Sequence, residues 1–268
     1  MKKATDGHIL VLRVPSLPAE LASPAMQRAL AAEALGMLLF VLFAAGTAVM
    51  TAGVLADRLS AGRILVVAIA HALAFGLAVA GAMAFSGGHV NPAITIAAVM
   101  AGRMPPRRGA MYIVAQLAGA VVAAMLLKML VPGAVAHGLG SHTIGARVTT
   151  EAALVLEMIM TATLVVTFLL TAGSPRRELR PLMLGAIVLL AHLFGAGLTG
   201  ASMNPARTFG PALVSGMWAG HWVYWIGPLM GSASAAVLWR WGWARAAESG
   251  EAFTNGDGSG HRLGRANR

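Results

Sequence analysis

Two short stretches of the sequence are near copies of each other: residues 86–95, which read SGGHVNPAIT, and residues 199–208, which read TGASMNPART. Each is a run of small residues, then Asn-Pro-Ala, then a threonine four places after the asparagine. Asparagine is a good helix N-cap and proline suits the first helical position, so each stretch predicts a helix start, at Asn91 and at Asn204. A single Asn-Pro-Ala would indicate no more than a cap, whereas two copies indicate a repeated structure.

The sequence around the two motifs is typical of a membrane protein. Of its 268 residues, 57% are hydrophobic and only 11% are charged, whereas about a quarter are charged in soluble domains. Six apolar blocks are long enough to cross a hydrocarbon layer of about 30 Å as helices, and two stretches of about half that length begin at the motifs. The six blocks are Ala29–Met50, Ile64–Ala84, Gly109–Val131, Glu151–Ala172, Pro181–Leu198 and His221–Trp241, and the short stretches are Asn91–Ala101 and Asn204–Val214. A soluble helical core is disfavoured because apolar residues surround these segments on all sides.

Composition divides the chain into three predicted parts. We expect a cytoplasmic leader over residues 1–28, a transmembrane domain over 29–242 with repeats at about 29–131 and 151–242, and a disordered cytoplasmic tail over 243–268. The leader is a poor signal peptide because Arg13 and two prolines interrupt its apolar run. The sequence contains no cysteine, which excludes disulfides, thiolate metal sites and a cysteine nucleophile.

The net charge of +10 is better explained by membrane topology than by nucleic acid binding, so we expect no nucleic acid partner. In a six-span arrangement, most basic residues fall on one side: Lys2, Lys3, Arg13, Arg28, Arg103, Arg107, Arg108, Arg176, Arg177, Arg180, Arg240, Arg245, Arg262, Arg265 and Arg268. The other side carries Arg58, Arg63 and Arg147, with Lys128 near a helix end and Arg207 in the second motif. The positive-inside rule then places both termini in the cytoplasm of a multi-pass protein, which we expect in the cell membrane, plasma or inner.

The two halves of the chain have the same order of elements. Each half has a first span with a glutamate (Glu33 or Glu157), a second span, an Asn-Pro-Ala half-helix and a third span. Three spans per half is an odd number, so the halves enter the membrane from opposite sides as an inverted repeat. The half-helices then meet inside the membrane, where irregular backbone is tolerated only if it is buried or lines a water-filled cavity. Their positive ends would repel cations there, and the amides of Asn91 and Asn204 would hold the oxygen of a passing water.

These residues resemble the major intrinsic protein family, the aquaporins and aquaglyceroporins. The resemblance covers about Ala29–Trp241 and is carried by the paired motifs Asn91, Pro92, Ala93 and Asn204, Pro205, Ala206. The stretches AHALAFGLAVAGAMAFSGGHVNPAIT and HWVYWIGPLMG further resemble plant tonoplast intrinsic proteins. The resemblance implies an all-α polytopic membrane fold, a six-transmembrane-helix bundle with two re-entrant half-helices, assembled as a homotetramer with four pores. Such pores exclude protons and cations by the central arrangement described above.

The resemblance also implies which residues select the solute. The narrowest point of the family maps onto His71, His192, Ala201 and Arg207. Helical rise places both histidines about 13 Å below the outer face, and an arginine inside the membrane is a functional candidate by default.

A supporting role is implied for three further residues. Glu33 and Glu157 would accept hydrogen bonds from backbone N–H groups of the dipping loops, which are costly to leave unpaired at that depth. We expect His89 to brace its loop rather than to face the file of solute.

The sequence therefore predicts a passive channel that conducts water in single file and excludes protons and ions. Thr208 replaces the aspartate that tends to follow the filter arginine in glycerol-conducting relatives, and His71 replaces a common phenylalanine, which could extend the solute range to ammonia. A channel for ammonia, urea or glycerol is the alternative within this class. A secondary transporter is disfavoured because the two acidic residues of the spans, Glu33 and Glu157, are placed symmetrically, whereas a proton relay would be asymmetric. An intramembrane enzyme is disfavoured because the sequence shows no acid–base pair with a nucleophile or metal cluster. We expect no catalytic residue, metal or cofactor, and water, small neutral solutes and the lipid bilayer as partners.

Overall fold

The helices of the protein follow the order of the predicted spans. A computed structural model describes residues 16–54, 59–131, 133, 138–172 and 177–243. Its α-helices over these residues are α1 (Leu17–Ala22), α2 (Pro24–Val49), α3 (Ala61–Ser86), α4 (Pro92–Met100), α5 (Pro106–Leu130), α6 (Thr150–Ala172), α7 (Arg180–Gly195), α8 (Pro205–Ser215) and α9 (Val223–Leu238). The short helices α4 and α8 are the two half-helices, and the six long ones are the spans.

The two half-helices begin where the sequence motifs predict. The Oδ1 atom of Asn91 accepts a hydrogen bond of 2.8 Å from the backbone N–H of Ala93. The Oδ1 atom of Asn204 accepts from the N–H groups of Ala206, at 3.2 Å, and Arg207, at 3.3 Å. A proline follows each asparagine at the first helical position, where a missing N–H has no cost. The local sequence therefore fixes both helix starts.

The length and composition of the long helices fit a membrane. Within the described residues, five stretches are long and apolar enough to cross one, namely Pro24–Ala52, Ala61–Ser86, Pro106–Leu130, Thr150–Ala172 and Arg177–Gly195. The sixth span, α9, has 16 residues and is continued by a π-helical turn at Trp239–Trp243. The first span begins at Pro24 rather than at the expected Ala29, because Pro24 supplies an early helix start. Residues 1–15 of the expected leader and 244–268 of the expected tail lie outside the described residues.

Equivalent helices of the two halves pack in equivalent ways. The first and third spans of each half, α2 with α5 and α6 with α9, cross at a glycine. A Cβ added to Gly119 of α5 would lie 2.1 Å from the carbonyl oxygen of Ala34 in α2, and one added to Gly231 of α9 would lie 2.4 Å from that of Met158 in α6. Both crossings therefore require the absence of a side chain, as is common where transmembrane helices approach closely.

Each half-helix packs against the third span of the opposite half. Helix α8 crosses α5, where a Cβ on Gly210 would lie 2.4 Å from the carbonyl oxygen of Ala120. Helix α4 lies against α9, where the hydroxyl of Ser232 donates a hydrogen bond of 2.8 Å to the carbonyl of Ala93. This exchange interlocks the two halves and brings the two Asn-Pro-Ala motifs together, as the inverted repeat predicts.

Candidate functional site

Two buried glutamates hold the loops that precede the half-helices. The carboxylate of Glu33 on α2 accepts hydrogen bonds from the backbone N–H groups of His89, at 2.9 Å, and Val90, at 2.7 Å. On α6, the carboxylate of Glu157 accepts from those of Ser202, at 2.9 Å, and Met203, at 2.8 Å. The backbone donors are the two residues before each motif asparagine. Each carboxylate thus supplies acceptors to a loop whose N–H groups would otherwise be buried unpaired.

Further polar side chains complete this support. Tyr112 donates its hydroxyl to the carbonyl of Ser86 at 3.2 Å, and Tyr224 donates to that of Thr199 at 2.8 Å. Thr95, the threonine four places after Asn91, contacts Nδ1 of His89 at 3.1 Å, which agrees with the bracing expected of that histidine. His89 also lines a cavity at the end of the bundle, so part of its ring contacts open space rather than packed side chains. Its role stays a prediction.

The backbone before each asparagine has a conformation that L-residues rarely adopt. Val90 has φ of 45° and Met203 has φ of 52°, both in the left-handed region, which is costly for a β-branched residue such as valine. The conformation accompanies a reciprocal pair of hydrogen bonds. The Nδ2 group of Asn91 donates to the carbonyl of Met203 at 2.8 Å, and that of Asn204 donates to the carbonyl of Val90 at 2.9 Å. Each motif is therefore held by the asparagine of the other.

The asparagine side chains are almost fully used by these contacts. In each amide, Oδ1 caps its own half-helix while one of the two Nδ2 hydrogens binds the opposite loop. An amide has two N–H donors, so one donor on each side is available to a molecule between the two helix ends. The sequence predicts the two donors but gives no sign of the reciprocal bonds that orient them.

Three of the predicted filter residues meet at one place. His71 of α3, His192 of α7 and Arg207 of α8 are each 2% exposed. The imidazole centroids of the two histidines lie 4.1 Å apart, with the rings tilted by 36°. The guanidinium of Arg207 donates through Nη1 to the carbonyl of Gly140 at 2.9 Å and through Nη2 to Nε2 of His71 at 3.3 Å. These contacts fix the direction of the guanidinium.

The hydrogen bonds of the two histidines identify their neutral tautomer. Nδ1 of His71 lies 2.9 Å from the carbonyl of Val67, and Nδ1 of His192 lies 2.9 Å from that of Val188. A carbonyl only accepts, so Nδ1 carries the hydrogen, and Nε2 of each neutral ring is an acceptor. Nε2 of His71 receives Arg207, while Nε2 of His192 is buried with no partner among the described residues. That buried atom is an unused acceptor next to the ring of His71.

A third histidine, which the sequence analysis missed, completes this part of the wall. His142 precedes α6, is buried, and places Nδ1 2.9 Å from the hydroxyl of Thr208. It lines a cavity of about 290 Å³ together with His71, Gly140 and Arg207. Burial and the nearby charge of Arg207 hold the pKa of His142 well below its usual value, so the ring is neutral. Its loop has no periodic pattern, and no local signal relates it to the motifs.

The fourth predicted filter residue, Ala201, is buried and has φ of 53°. It does not line the same cavity, but its neighbour Gly200 does. A Cβ on Gly200 would lie 2.5 Å from Cδ2 of His142. The absence of a side chain at Gly200 therefore leaves room for the third histidine.

Comparisons with known proteins identify the family of this chain. The family model described as Major intrinsic protein matches residues 20–239. The chain belongs to the major intrinsic protein family. It is 42% identical over 228 residues to Aquaporin TIP1-2 of Zea mays, covering 83% of this chain and 88% of that protein. It is 38% identical over 224 residues to Aquaporin-4 of Mus musculus, covering 81% of this chain and 68% of that protein.

The helical architecture is likewise that of a solved member of this family. The aquaglyceroporin from Plasmodium falciparum superposes with a TM-score of 0.74 at 20% identity, over 84% of this chain and 99% of that chain. The predicted aquaporin-like membrane fold is confirmed. Members of the family are channels, so this integral, multi-pass membrane protein is a passive channel, and the alternative of an intramembrane enzyme is excluded.

The variants Asn91→Asp and Asn204→Asp test the reciprocal hydrogen bonds of this channel. Each change keeps the capping oxygen but removes the donor to the opposite loop, and it places a possible anion between two helix N-termini. We expect each variant to be destabilised by about 1–3 kcal/mol because a buried carbonyl loses its partner, and cation exclusion to fail. Thermal unfolding in detergent and cation flux into proteoliposomes measure the two effects.

Gln27→Glu is the matched control, since it makes the same amide-to-acid change on an exposed side chain of α2 that donates to the carbonyl of Leu21. Its unfolding temperature and ion exclusion should equal those of the wild type. Wild-type stability, full water flux and intact cation exclusion in both aspartate variants would contradict the role given to the asparagines.

Proposed function

We propose that this channel conducts water in single file and selects it at His71, His192 and Arg207. The observation that carries the proposal is the contact of the two imidazoles, 4.1 Å apart, with a guanidinium directed by Gly140 and His71. A solute at this level meets the polar edges of His71, His142 and Arg207, and the cavity beside them is also lined by apolar residues such as Ile64 and Val67. Water suits the polar edges because it both donates and accepts, whereas glycerol would have to give up more of its hydration to pass them.

The roles of the individual groups follow from their donors and acceptors. Arg207 presents N–H donors and a fixed positive charge, which repels cations and protons. Nε2 of His192 presents an acceptor to a hydrogen of the passing water. At the point where the two half-helix N-termini meet, the remaining N–H of Asn91 and that of Asn204 bind the oxygen of the next water. With its oxygen held by two donors, that water cannot accept a proton from its neighbour, and relay along the file is interrupted.

A second candidate solute is ammonia. It is small and neutral, and its N–H groups can donate to the same unpaired Nε2 of His192. The replacement of the common phenylalanine by His71 adds polarity to this wall, which favours a polar solute of the size of water. Thr208, in place of the aspartate of glycerol-conducting relatives, supports neither urea nor glycerol as the main solute.

Osmotic shrinkage of proteoliposomes followed by light scattering tests the proposed function. Vesicles with the purified protein should shrink faster than empty vesicles, with a lower activation energy and no dependence on a proton gradient. An ammonia gradient across the same vesicles, followed by an internal pH dye, tests the second candidate. Water permeability equal to that of empty vesicles would refute water conduction.

The filter itself is tested by separating size from charge. The double variant His71→Ala/His192→Ala should admit glycerol and urea, with a permeability at least about tenfold above wild type for a barrier lowered by about 1.4 kcal/mol, while cations stay excluded. Arg207→Val should also admit larger neutral solutes and, because it removes the fixed charge, should leak protons. Solute-by-solute swelling and a proton-flux dye measure the difference.

His221→Ala is the control for the filter variants. His221 is partly buried in the turn before α9, where it accepts a hydrogen bond from Nε1 of Trp225 at 3.0 Å, and it does not line the cavity beside Arg207. Its removal should leave all permeabilities unchanged. Unaltered glycerol, urea and proton permeability in both filter variants would show that selection occurs elsewhere.

The channel assembles as a homotetramer, each copy with its own pore, and both termini face the cytoplasm. Exposed apolar side chains on α2 and α3, among them Leu39, Phe43, Leu73 and Leu77, support burial against lipid or a neighbouring copy. The excess of arginine beside α5 and α7 supports the orientation. Native mass spectrometry should give a mass of four chains, and protease added outside intact cells should not cleave a C-terminal tag. The expected cell-membrane location and the three-part division of the chain stay predictions.

A further inference from the structure

A second cavity, of about 790 Å³, lies at the opposite end of the bundle from the filter. It is formed where the end of α3, the loop between α4 and α5, and the start of α7 meet. Four arginines of the described residues line it: Arg103, Arg108, Arg177 and Arg180. We call this cavity the arginine vestibule. His89, two residues before Asn91, also lines it, so the vestibule extends to the loop that leads into the first motif.

The positive charge of the arginine vestibule is not neutralised by the described residues around it. None of those that line it is aspartate or glutamate. Glu33 is close by, but its carboxylate accepts from the backbone of His89 and Val90 and from Gln116. Arg103, Arg177 and Arg180 line the same cavity, so like charges share it. Burial lowers the pKa of Arg103, as expected for a cation that loses water without gaining an anion.

The arginines are nevertheless held in place, by partners without charge. The guanidinium of Arg103 lies over the ring of Trp239, 4.5 Å from its centroid. Nη2 of Arg108 donates to the hydroxyl of Tyr112 at 2.9 Å, and Nη1 of Arg180 donates to the carbonyl of Gly87 at 2.9 Å. Arg180 is only 6% exposed, and its Nε has no acceptor among the described residues. Such contacts orient guanidinium groups without using their charge.

We propose that the arginine vestibule binds a phosphate-bearing polyanion, which on binding obstructs the channel. Guanidinium groups match phosphate oxygens in geometry and form charge-assisted hydrogen bonds with them. Cations on different walls of one cavity favour a ligand with several anionic oxygens over a single halide or carboxylate. The ligand is either a free di- or triphosphate compound or the phosphorylated headgroup of a membrane lipid. Obstruction, but not binding, rests on the proposed function.

Calorimetric titration of the purified full-length protein with inorganic pyrophosphate tests binding without any use of the channel. The double variant Arg103→Gln/Arg177→Gln removes two positive charges. Neither side chain makes a hydrogen bond to the backbone of the described residues. We expect its affinity to fall at least about tenfold, and the affinity of the wild type to fall as salt is added. The lysine pair Arg103→Lys/Arg177→Lys keeps the charge but loses the planar guanidinium, so its affinity should lie between those of the wild type and of the double glutamine variant.

Arg107→Gln is the matched control. Arg107 lies on α5 beside Arg108, does not line the vestibule, and forms an ion pair with Glu20 at 2.7 Å. The Arg107→Gln substitution removes one positive charge from the same end of the protein. Because salt screens a charge outside the cavity, the affinity of this variant for pyrophosphate should stay within about threefold of wild type. An equal loss of affinity in Arg107→Gln and the double glutamine variant would overturn the site in favour of general attraction by a basic surface.

Water flux distinguishes the two sources of phosphate. Inhibition by pyrophosphate in vesicles of pure phosphatidylcholine identifies a free anion as a sufficient ligand. Slower flux in vesicles that contain phosphatidylinositol 4,5-bisphosphate, relieved in the double glutamine variant, identifies a lipid headgroup. Absence of pyrophosphate binding, together with equal flux in both kinds of vesicle, overturns the proposal. Failure of wild-type protein to conduct water at all would instead refute the water channel and leave the calorimetric test of the site intact.

Discussion

The rest of the structure depends on the cost of placing irregular backbone inside a membrane. The loops before α4 and α8 contain N–H groups that no helix satisfies, and lipid offers no acceptor. Glu33 and Glu157 supply acceptors from the neighbouring first spans. A carboxylate buried for this purpose is itself stable only because several donors surround it. The two loops and the two glutamates therefore stabilise each other, and neither could be buried alone.

Contacts between the two halves assemble the two supported loops into a pore. Asn91 and Asn204 bind the loop of the opposite half, and each half-helix packs on the third span of the other half. Two helix N-termini are thereby opposed at one point, with one amide donor left on each side. The same arrangement fixes Arg207 in the first turn of α8, from which its guanidinium reaches both Gly140 and His71. In the proposed function, cation exclusion at the centre and selection at the filter thus share one structural cause.

The two ends of the path differ in their electrostatics. Near the filter, Arg63 and Arg207 line a cavity together with the imidazoles of His71 and His142, so a polar solute meets neutral polar groups as well as cationic donors. At the other end, four arginines surround a larger cavity with no carboxylate among its described lining residues. The excess of arginine there is usually read as a consequence of topology. Its concentration inside a cavity, on partners that leave its charge intact, is a property of the tertiary structure and gives that end the chemistry of an anion site.

The sequence by itself determined the spans, the inverted repeat, both helix starts and the family, because apolar block length and Asn-Pro caps act over a few neighbouring residues. It also indicated His71, His192 and Arg207 as filter candidates and Glu33 and Glu157 as braces, through the resemblance. It did not indicate His142, the left-handed backbone of Val90, or the reciprocal asparagine bonds. The hydrogen bonds that accompany those features join segments more than 60 residues apart, as in the contact of His142 with Thr208 and of Asn204 with Val90. Only the packing of helices from both halves decides which distant groups meet, and no local pattern encodes that packing.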